Sequence, residues 1–387
     1  MKRKIILFTG GRQDYYLLKP LMTELLKRGL AEVGFLVGET HFSKLYGNTV
    51  KQIKLDNMPI WGKVSSNIKG DKPLDIVKKI SNTSIQVSKI LSKIKPACIV
   101  LLGDRYELLA AAQASMLNNI PIAHLHGGES TEGVIDEVIR HAITKMAHLH
   151  FVSTKKYRNR IIQMGENSKN VFNYGALGVD NVKSIKTLSK MHIFNFLNIN
   201  AKNQTFIITY HPLTLDNKKS NMHLNNLLKV LEDFKKTNLV FTYPNSDTYG
   251  LEIIKIIKKY IKKDPINRKF LKNLGVKKYL SLMKYSDLVI GNSSSGIIEA
   301  PSLGVPTINI GPRQEGRVKA KSVIQVDGTT KSIIKGIHLG LKKEFVKKAK
   351  LKENPYGKGQ SARKIASALL KKNYEKIIFK KFYDLSL

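Results

Sequence analysis

Short apolar runs alternate with longer amphipathic segments from one end of the chain to the other. Runs rich in Ile, Val, Leu and Phe read as buried strands at residues 5–9, 33–37, 97–102, 121–126, 149–152 and 171–174. The second half repeats the pattern at 205–210, 239–242, 288–291 and 307–310. Between them, 17–28, 74–93 and 106–118 carry apolar residues at helical spacing. One more helix is expected from about Gly133 to Met146, burying Val134, Val138, Ala142 and Met146 or a face close to it. Strand–helix alternation predicts an α/β fold of doubly wound parallel sheets, covered by helices on both faces. Ligands of such sheets lie at the carboxyl ends of the strands, so the loops after strands are where chemistry is sought.

At 387 residues the chain is long enough for two domains of roughly 150 residues or more. The polar stretch 184–203 separates the two series of strands. This predicts a first Rossmann-like domain over 1–183, a second over 184–360, and a helical C-terminal segment, 361–387, that packs back. No apolar stretch approaches the ~20 residues that span a membrane. The apolar run after Lys2, Arg3 and Lys4 ends at Thr9-Gly10, short of the ~7–15 residues of a signal peptide, and reads as the first strand. A lone cysteine, Cys98, leaves no intrachain disulfide and points to the cytoplasm. The net charge of +37 raises the question of an anionic partner. The lysines are spread along the chain, and aromatic residues do not interleave with them as a base-stacking platform requires. Neither nucleic acid nor a membrane is therefore expected as a partner.

The first post-strand loop is Thr9-Gly10-Gly11-Arg12-Gln13-Asp14. Its glycine amides can approach an anion with Arg12 as a fixed cation, or it is a plain turn. It lacks the Gly-x-Gly-x-x-Gly spacing of dinucleotide sites, so no nicotinamide cofactor is indicated. In Gly103-Asp104-Arg105-Tyr106-Glu107, Asp104 and Arg105 are placed to meet a ligand, or Asp104 caps the following helix. The densest stretch is His124-Leu125-His126-Gly127-Gly128-Glu129-Ser130-Thr131-Glu132-Gly133, followed by Asp136-Glu137 and Arg140-His141. Histidines at i, i+2 with nearby carboxylates can ligate a metal; in a strand the same spacing merely puts two rings on one face. Asp136 with Arg140, and Glu137 with His141, have the i, i+4 spacing of surface ion pairs. The paired glycines permit a tight loop that projects Glu129, and carboxylates so placed suit general acid–base work.

In the second half, Thr209-Tyr210-His211-Pro212 and Tyr243-Pro244-Asn245-Ser246-Asp247 each end a strand. Gly291-Asn292-Ser293-Ser294-Ser295-Gly296 leads from a strand into a helix, a loop whose amides and hydroxyls can cradle a diphosphate. Glu299, a turn further in, can accept from ribose hydroxyls. Arg313 and Arg317 follow the last of these strands and can pair with phosphate bidentately.

Together these motifs resemble the hydrolysing branch of the UDP-N-acetylglucosamine 2-epimerase family. The likeness is carried by Gly103-Asp104-Arg105, His126-Gly127-Gly128-Glu129, Asp136-Glu137 and Ile139-Arg140-His141-Ala142-Ile143-Thr144-Lys145. It continues in order through His211-Pro212, Tyr243-Pro244-Asn245, the stretch 291–301, Arg313-Gln314 and Gly316-Arg317. The resemblance implies two Rossmann-like domains of the glycosyltransferase-B type, with a nucleotide-sugar substrate in the cleft between them. It also implies elimination of the nucleoside diphosphate across C1–C2 of a 2-acetamido sugar, then addition of water with inversion at C2. No metal and no redox cofactor are implied, and the assembly implied is a homodimer or homotetramer. Asp104, Glu129 and Asp136 match the family's catalytic carboxylates. Arg12, Arg105, His211, Asn245, Ser293, Ser294, Glu299 and Arg317 match its nucleotide-contacting positions, and His41 stands where a histidine lies near the sugar. Asp14, Glu137, His141 and Arg313, from the same loops, complete the expected substrate-binding set.

Two departures bear on substrate more than on reaction type: Gly11 replaces a threonine, and Gly38-Glu39 replaces a Thr-Gly pair. The run Ser130-Thr131-Glu132-Gly133-Val134-Ile135-Asp136-Glu137, together with His124-Leu125-His126, is more similar to the branch acting on N,N'-diacetylbacillosamine nucleotides, en route to legionaminic acid. Three rivals stay open at this stage. A glycosyltransferase of the same fold would not need Glu129 and Asp136. A metal-dependent hydrolase would be built on His124, His126, His141 and Glu129. A binding protein would use the basic surface.

Overall fold

The computed structural model describes residues 2–384. They form two compact units. The first comprises the chain up to Glu129, Asp136–Asp180 and the chain from Tyr356; the second comprises Ser130–Ile135 and Asn181–Pro355. Ser130–Ile135 thus leaves the first unit within the densest motif and returns to it at Asp136.

The first unit holds strands β1 (Lys4–Thr9), β2 (Glu32–Val37), β3 (Ile60–Lys63), β4 (Cys98–Leu102), β5 (Ile122–Leu125), β6 (Leu149–Val152) and β7 (Val171–Asn173). They pair in the order β3-β2-β1-β4-β5-β6-β7, all parallel. Alternate residues of β1 serve opposite faces: Ile5 and Leu7 join a core with Tyr15, Leu18 and Leu21 of the helix Arg12–Arg28, while Ile6 and Phe8 are equally buried on the other side. Burial on both faces is why these strands read as unbroken apolar runs. The C-terminal helix Ser361–Lys371 packs on this unit: Arg28 donates to Ser367 Oγ at 2.7 Å, and Asp180 accepts from the Ser361 and Ala362 amides at 3.0 and 2.7 Å.

The second unit repeats the plan with β8 (Gln204–Thr209), β9 (Thr237–Thr242), β10 (Arg268–Leu271), β11 (Leu288–Gly291), β12 (Thr307–Ile310) and β13 (Val323–Val326), in the order β10-β9-β8-β11-β12-β13. Phe206 and Ile208 feed one core and Ile207 with Val240 the other, so helices cover both faces. In each sheet the order reverses once, between β1 and β4 and between β8 and β11. Such switch points open a crevice at the carboxyl ends of the two strands.

Three strands, β3, β10 and β13, are absent from the apolar pattern, and all three are sheet edges. Their residues are largely exposed or half-buried, so they need no apolar run. The helix expected near 133–146 runs over Asp136–Met146 and buries Ile139, Arg140, Ile143 and Thr144. The expected face is corrected: Val138 is 73% exposed, and Val134, buried as expected, lies before the helix. Polar Arg140 and Thr144 take the inner positions because Arg140 bonds to the loops after β4 and β5 and Thr144 meets His124 on β5.

Candidate active site

Each switch point is flanked by loops singled out from the motifs. In the first unit, β5 is followed at once by His126, whose backbone adopts a left-handed φ of 63° that side chains usually avoid, at a cost of about 1 kcal/mol. Its amide donates to Phe151 O at 2.9 Å, and its carbonyl accepts from Arg140 at 3.1 Å. Gly128 follows at φ 71°, with Tyr157 O only 2.7 Å from where a Cβ would stand. A side chain there would collide with the helix Lys155–Gln163, so glycine is what lets the loop turn Glu129 inward.

Glu129 is fully buried. Its Oε1 accepts from His126 Nδ1 and from Ser153 Oγ, both at 2.7 Å, and Arg140 Nη1 stands 3.8 Å from Oε2. The other Arg140 amine forms an ion pair with Asp104. One guanidinium, 1% exposed, therefore ties together the loop after β4, the loop after β5 and the carboxylate of Glu129. Asp104 does not cap the helix Tyr106–Leu117: Arg105 is the cap residue, and no side chain bonds there. Asp136 opens the helix that carries Arg140 and is buried. Glu137 and His141, further along the same helix, pair with each other at 3.1 Å and remain half-buried.

Four residues expected at the ligand bond within their own units. Asp14 Oδ2 accepts from the Gly10 and Gly11 amides at 3.0 and 3.1 Å, so these amides already hold an anion-shaped group of the chain itself. Burial pushes the Asp14 carboxyl up to about 7. Arg105 forms a two-pronged bond to Glu107 at 3.2 and 3.1 Å. His41 is fully buried, its Nε2 2.9 Å from Thr9 Oγ1 and its Nδ1 2.7 Å from Thr49 Oγ1; burial pushes it down to about 3 and keeps it neutral. Arg313, in the second unit, donates to Asn292 O at 3.1 Å. Arg12, at the start of its helix, stays half-buried. Glu39, which replaces a small residue of the family pattern, accepts from the Ser66 amide at 3.0 Å and from its hydroxyl.

The metal reading finds no geometry to support it. His124 Nε2 bonds to Gly103 O at 2.8 Å and its Nδ1 lies 3.2 Å from Thr144 Oγ1. Burial pushes that ring down to about 3. Among the described residues, no group of three or more His, Cys, Asp or Glu side chains is arranged to hold a metal ion.

In the second unit, β8 and β11 are joined beyond their ends by one buried side chain. Asn292 Oδ1 accepts from the His211 amide at 2.7 Å and Nδ2 donates to its carbonyl at 2.8 Å. Gly291 makes the approach possible, since a Cβ there would lie 2.0 Å from Thr209 O. His211 Nδ1 accepts from the Asn245 amide at 3.3 Å, which brings two expected residues of the post-strand loops into one place beside Asn292. Ser293 Oγ accepts from Ser295 Oγ at 3.1 Å, and Ser294 precedes the short helix Ser295–Ile298 that leads to Glu299. Arg317 Nε donates to Ser130 O at 3.2 Å, and Thr214 Oγ1 accepts from the Ile135 amide at 3.0 Å, so both ends of Ser130–Ile135 are held by this unit.

A family model described as UDP-N-acetylglucosamine 2-epimerase matches residues 23–370. The chain belongs to that family. It is 38% identical over 385 residues to the GDP/UDP-N,N'-diacetylbacillosamine 2-epimerase (hydrolyzing) of Campylobacter jejuni, covering 99% of this chain and 100% of that protein. It is 35% identical over 365 residues to the UDP-N,N'-diacetylbacillosamine 2-epimerase (hydrolyzing) of Legionella pneumophila, covering 94% of each. A crystal structure of the Neisseria meningitidis UDP-GlcNAc 2-epimerase bound to UDP-GlcNAc has the same fold, with a TM-score of 0.78 over 95% of this chain and 100% of that one, at 20% identity. Among the described residues of this 2-epimerase family member, no helix is long and apolar enough to cross a membrane.

Arg140, Ser153 and Asn292 were not among the residues expected to form the site, and His126 was expected only as a ligand in the metal reading. Arg140 carried a signal, its place in the Ile139–Lys145 motif, but its i, i+4 spacing to Asp136 reads equally as a surface pair. Ser153 and Asn292 carried only their position immediately after β6 and β11.

Proposed function

We propose that this chain is a hydrolysing 2-epimerase acting on nucleotide-linked N,N'-diacetylbacillosamine. The reaction eliminates the nucleoside diphosphate across C1–C2, giving a 2-acetamidoglycal. Addition of water with inversion at C2 then releases a free manno-configured sugar. The observation that carries the reading is the constellation of half-buried Asp104 with buried Arg140, Glu129 and His126 in the loops after β4 and β5, in a chain whose full-length relatives bear that name. Removal of the weakly acidic C2 proton needs a positioned base, and departure of the diphosphate needs an acid and cations. Asp104, Glu129 and Asp136 are assigned the proton-handling duties, directly or through a neighbouring group. Ser293, Ser294 and the neighbouring amides are assigned the diphosphate, with Arg12 and Arg317 as cations and Glu299 as acceptor for the ribose. His211 and Asn245 complete the nucleotide side.

The substrate assignment is tested by comparing kcat/KM for UDP- and GDP-N,N'-diacetylbacillosamine with that for UDP-N-acetylglucosamine, reading nucleotide release by chromatography. Preference for a diacetylated sugar is expected. Equal or faster turnover of UDP-N-acetylglucosamine would assign the chain to the monoacetylated substrate, with N-acetylmannosamine as product.

A further inference from the structure

We propose that His126 Nε2 is the atom that takes the C2 proton, with Glu129 acting through the ring as its positioning carboxylate; this deepens the hydrolysing 2-epimerase reading and rests on it. Three observations on the loop after β5 converge on this ring. Its backbone is held at φ 63° by the bonds to Phe151 and Arg140, a conformation rare for a side-chain-bearing residue and concentrated at functional sites. Its Nδ1 is fixed 2.7 Å from Glu129 Oε1, and that oxygen is held in turn by Ser153 Oγ at 2.7 Å. An ionised carboxylate only accepts, so Nδ1 carries the hydrogen and Nε2 is left with its lone pair. Nε2 is shielded from solvent yet bonds to no group among the described residues. Among the described residues, both ring nitrogens of His41 and of His124 are taken by the chain, whereas His150 on β6 has its Nε2 on Glu166 and its Nδ1, like Nε2 of His126, without a partner.

This is the arrangement of a base with its orienting acid. The C2–H proton passes to Nε2, and the electron pair it leaves forms the C1=C2 bond. The C1–O pair departs with the diphosphate, and Glu129 stabilises the imidazolium so formed. Water then supplies the C1 hydroxyl, a second group on the opposite face returns a proton to C2, and the imidazolium gives its proton to solvent. Among the described residues, the charged groups tied to this residue are Glu129 on its own loop and Arg140 from the helix Asp136–Met146, with Asp104 beyond Arg140; His124 stands two residues back on β5.

The test uses the full chain, wild type and two variants, with kcat followed across pH. Asparagine tolerates a left-handed backbone, so His126→Asn keeps the loop, and its amide can still reach Glu129. Loss of about 10²–10⁴-fold in kcat is expected, with UDP affinity retained within about threefold. In Glu129→Gln a neutral amide no longer favours the imidazolium, so the acid limb of log kcat moves to lower pH. A purely structural role for the pair would lower kcat without moving that limb. His126→Asn within about threefold of wild-type kcat overturns the proposal. So does an unmoved limb in Glu129→Gln, which decides the matter if His126→Asn fails to fold. A folded wild type that turns over no nucleotide sugar overturns the 2-epimerase reading itself, an outcome distinct from an active enzyme indifferent to His126.

Discussion

Asn292 holds both backbone polar groups of His211, accepting from its amide at 2.7 Å and donating to its carbonyl at 2.8 Å. A side chain at the end of β11 thereby extends the β8 ladder past the point where the sheet stops. The Asn292 carbonyl is in turn held by Arg313 at 3.1 Å and Gln314 at 3.0 Å. Asn292→Ala leaves two buried backbone groups without partners, which costs roughly 2–4 kcal/mol. Urea unfolding reads that loss, and UDP affinity should weaken with it because His211 and Asn245 lose their frame. Unchanged stability would show that the clamp contributes nothing.

Arg140 is the corresponding hub of the first unit. Arg140→Met removes the cation that Asp104 and Glu129 share and leaves the Glu129 carboxylate buried without it, a change on the order of 3–5 kcal/mol. Arg140→Lys keeps a charge but not the two-ended reach to Asp104 and His126 O, so partial stability with a deep loss of kcat is expected. Full activity of the lysine variant would mean that charge alone suffices.

Acid should destabilise the first unit well above the range in which carboxylates titrate. His124 and His41 are pushed down to about 3 from an ordinary value of 6.5. The unfolded chain therefore binds their protons first. Their contribution is fully present above about 6.5 and is lost as the pH falls toward 3. On the order of 2 kcal/mol per histidine should disappear between pH 7 and pH 5. His124→Asn, which cannot titrate, should flatten the slope of unfolding free energy against pH in that window. A parallel slope in wild type and variant would contradict the burial argument.

Asp14 has the opposite sign. Its carboxyl is raised to about 7 from 3.8, so its contribution is complete at acid pH and fades as the pH rises through 7. Asp14→Asn keeps an oxygen for the Gly10 and Gly11 amides and removes the titration. The variant should match wild type near pH 4 and exceed its melting temperature near pH 8, as thermal unfolding at the two values would show. A variant less stable than wild type at pH 8 would mean that the charge itself holds the loop.

The central strands were readable from the chain because both their faces are buried, which forces runs such as Cys98–Leu102 to be apolar throughout. The edges β3, β10 and β13 were not, because half-exposed strands carry no such run. The loops of the candidate site announced themselves by glycines and charged residues at strand ends. What those side chains touch did not. Whether Asp14 faces a ligand or its own helix amides, and whether Arg140 is a surface partner of Asp136 or a buried hub, depends on loops brought together from far apart in the chain. A helix pattern also fails where polar residues take the inner face, as Arg140 and Thr144 do, leaving Val138 outside.

Turnover in deuterated water tests the central claim most directly, with purified protein, UDP-N,N'-diacetylbacillosamine and proton NMR. Release of nucleoside diphosphate together with a free manno-configured sugar deuterated at C2 is the predicted result, since elimination and rehydration exchange that hydrogen with solvent. A product that keeps its C2 hydrogen, or an intact substrate in the presence of folded, UDP-binding protein, would contradict it.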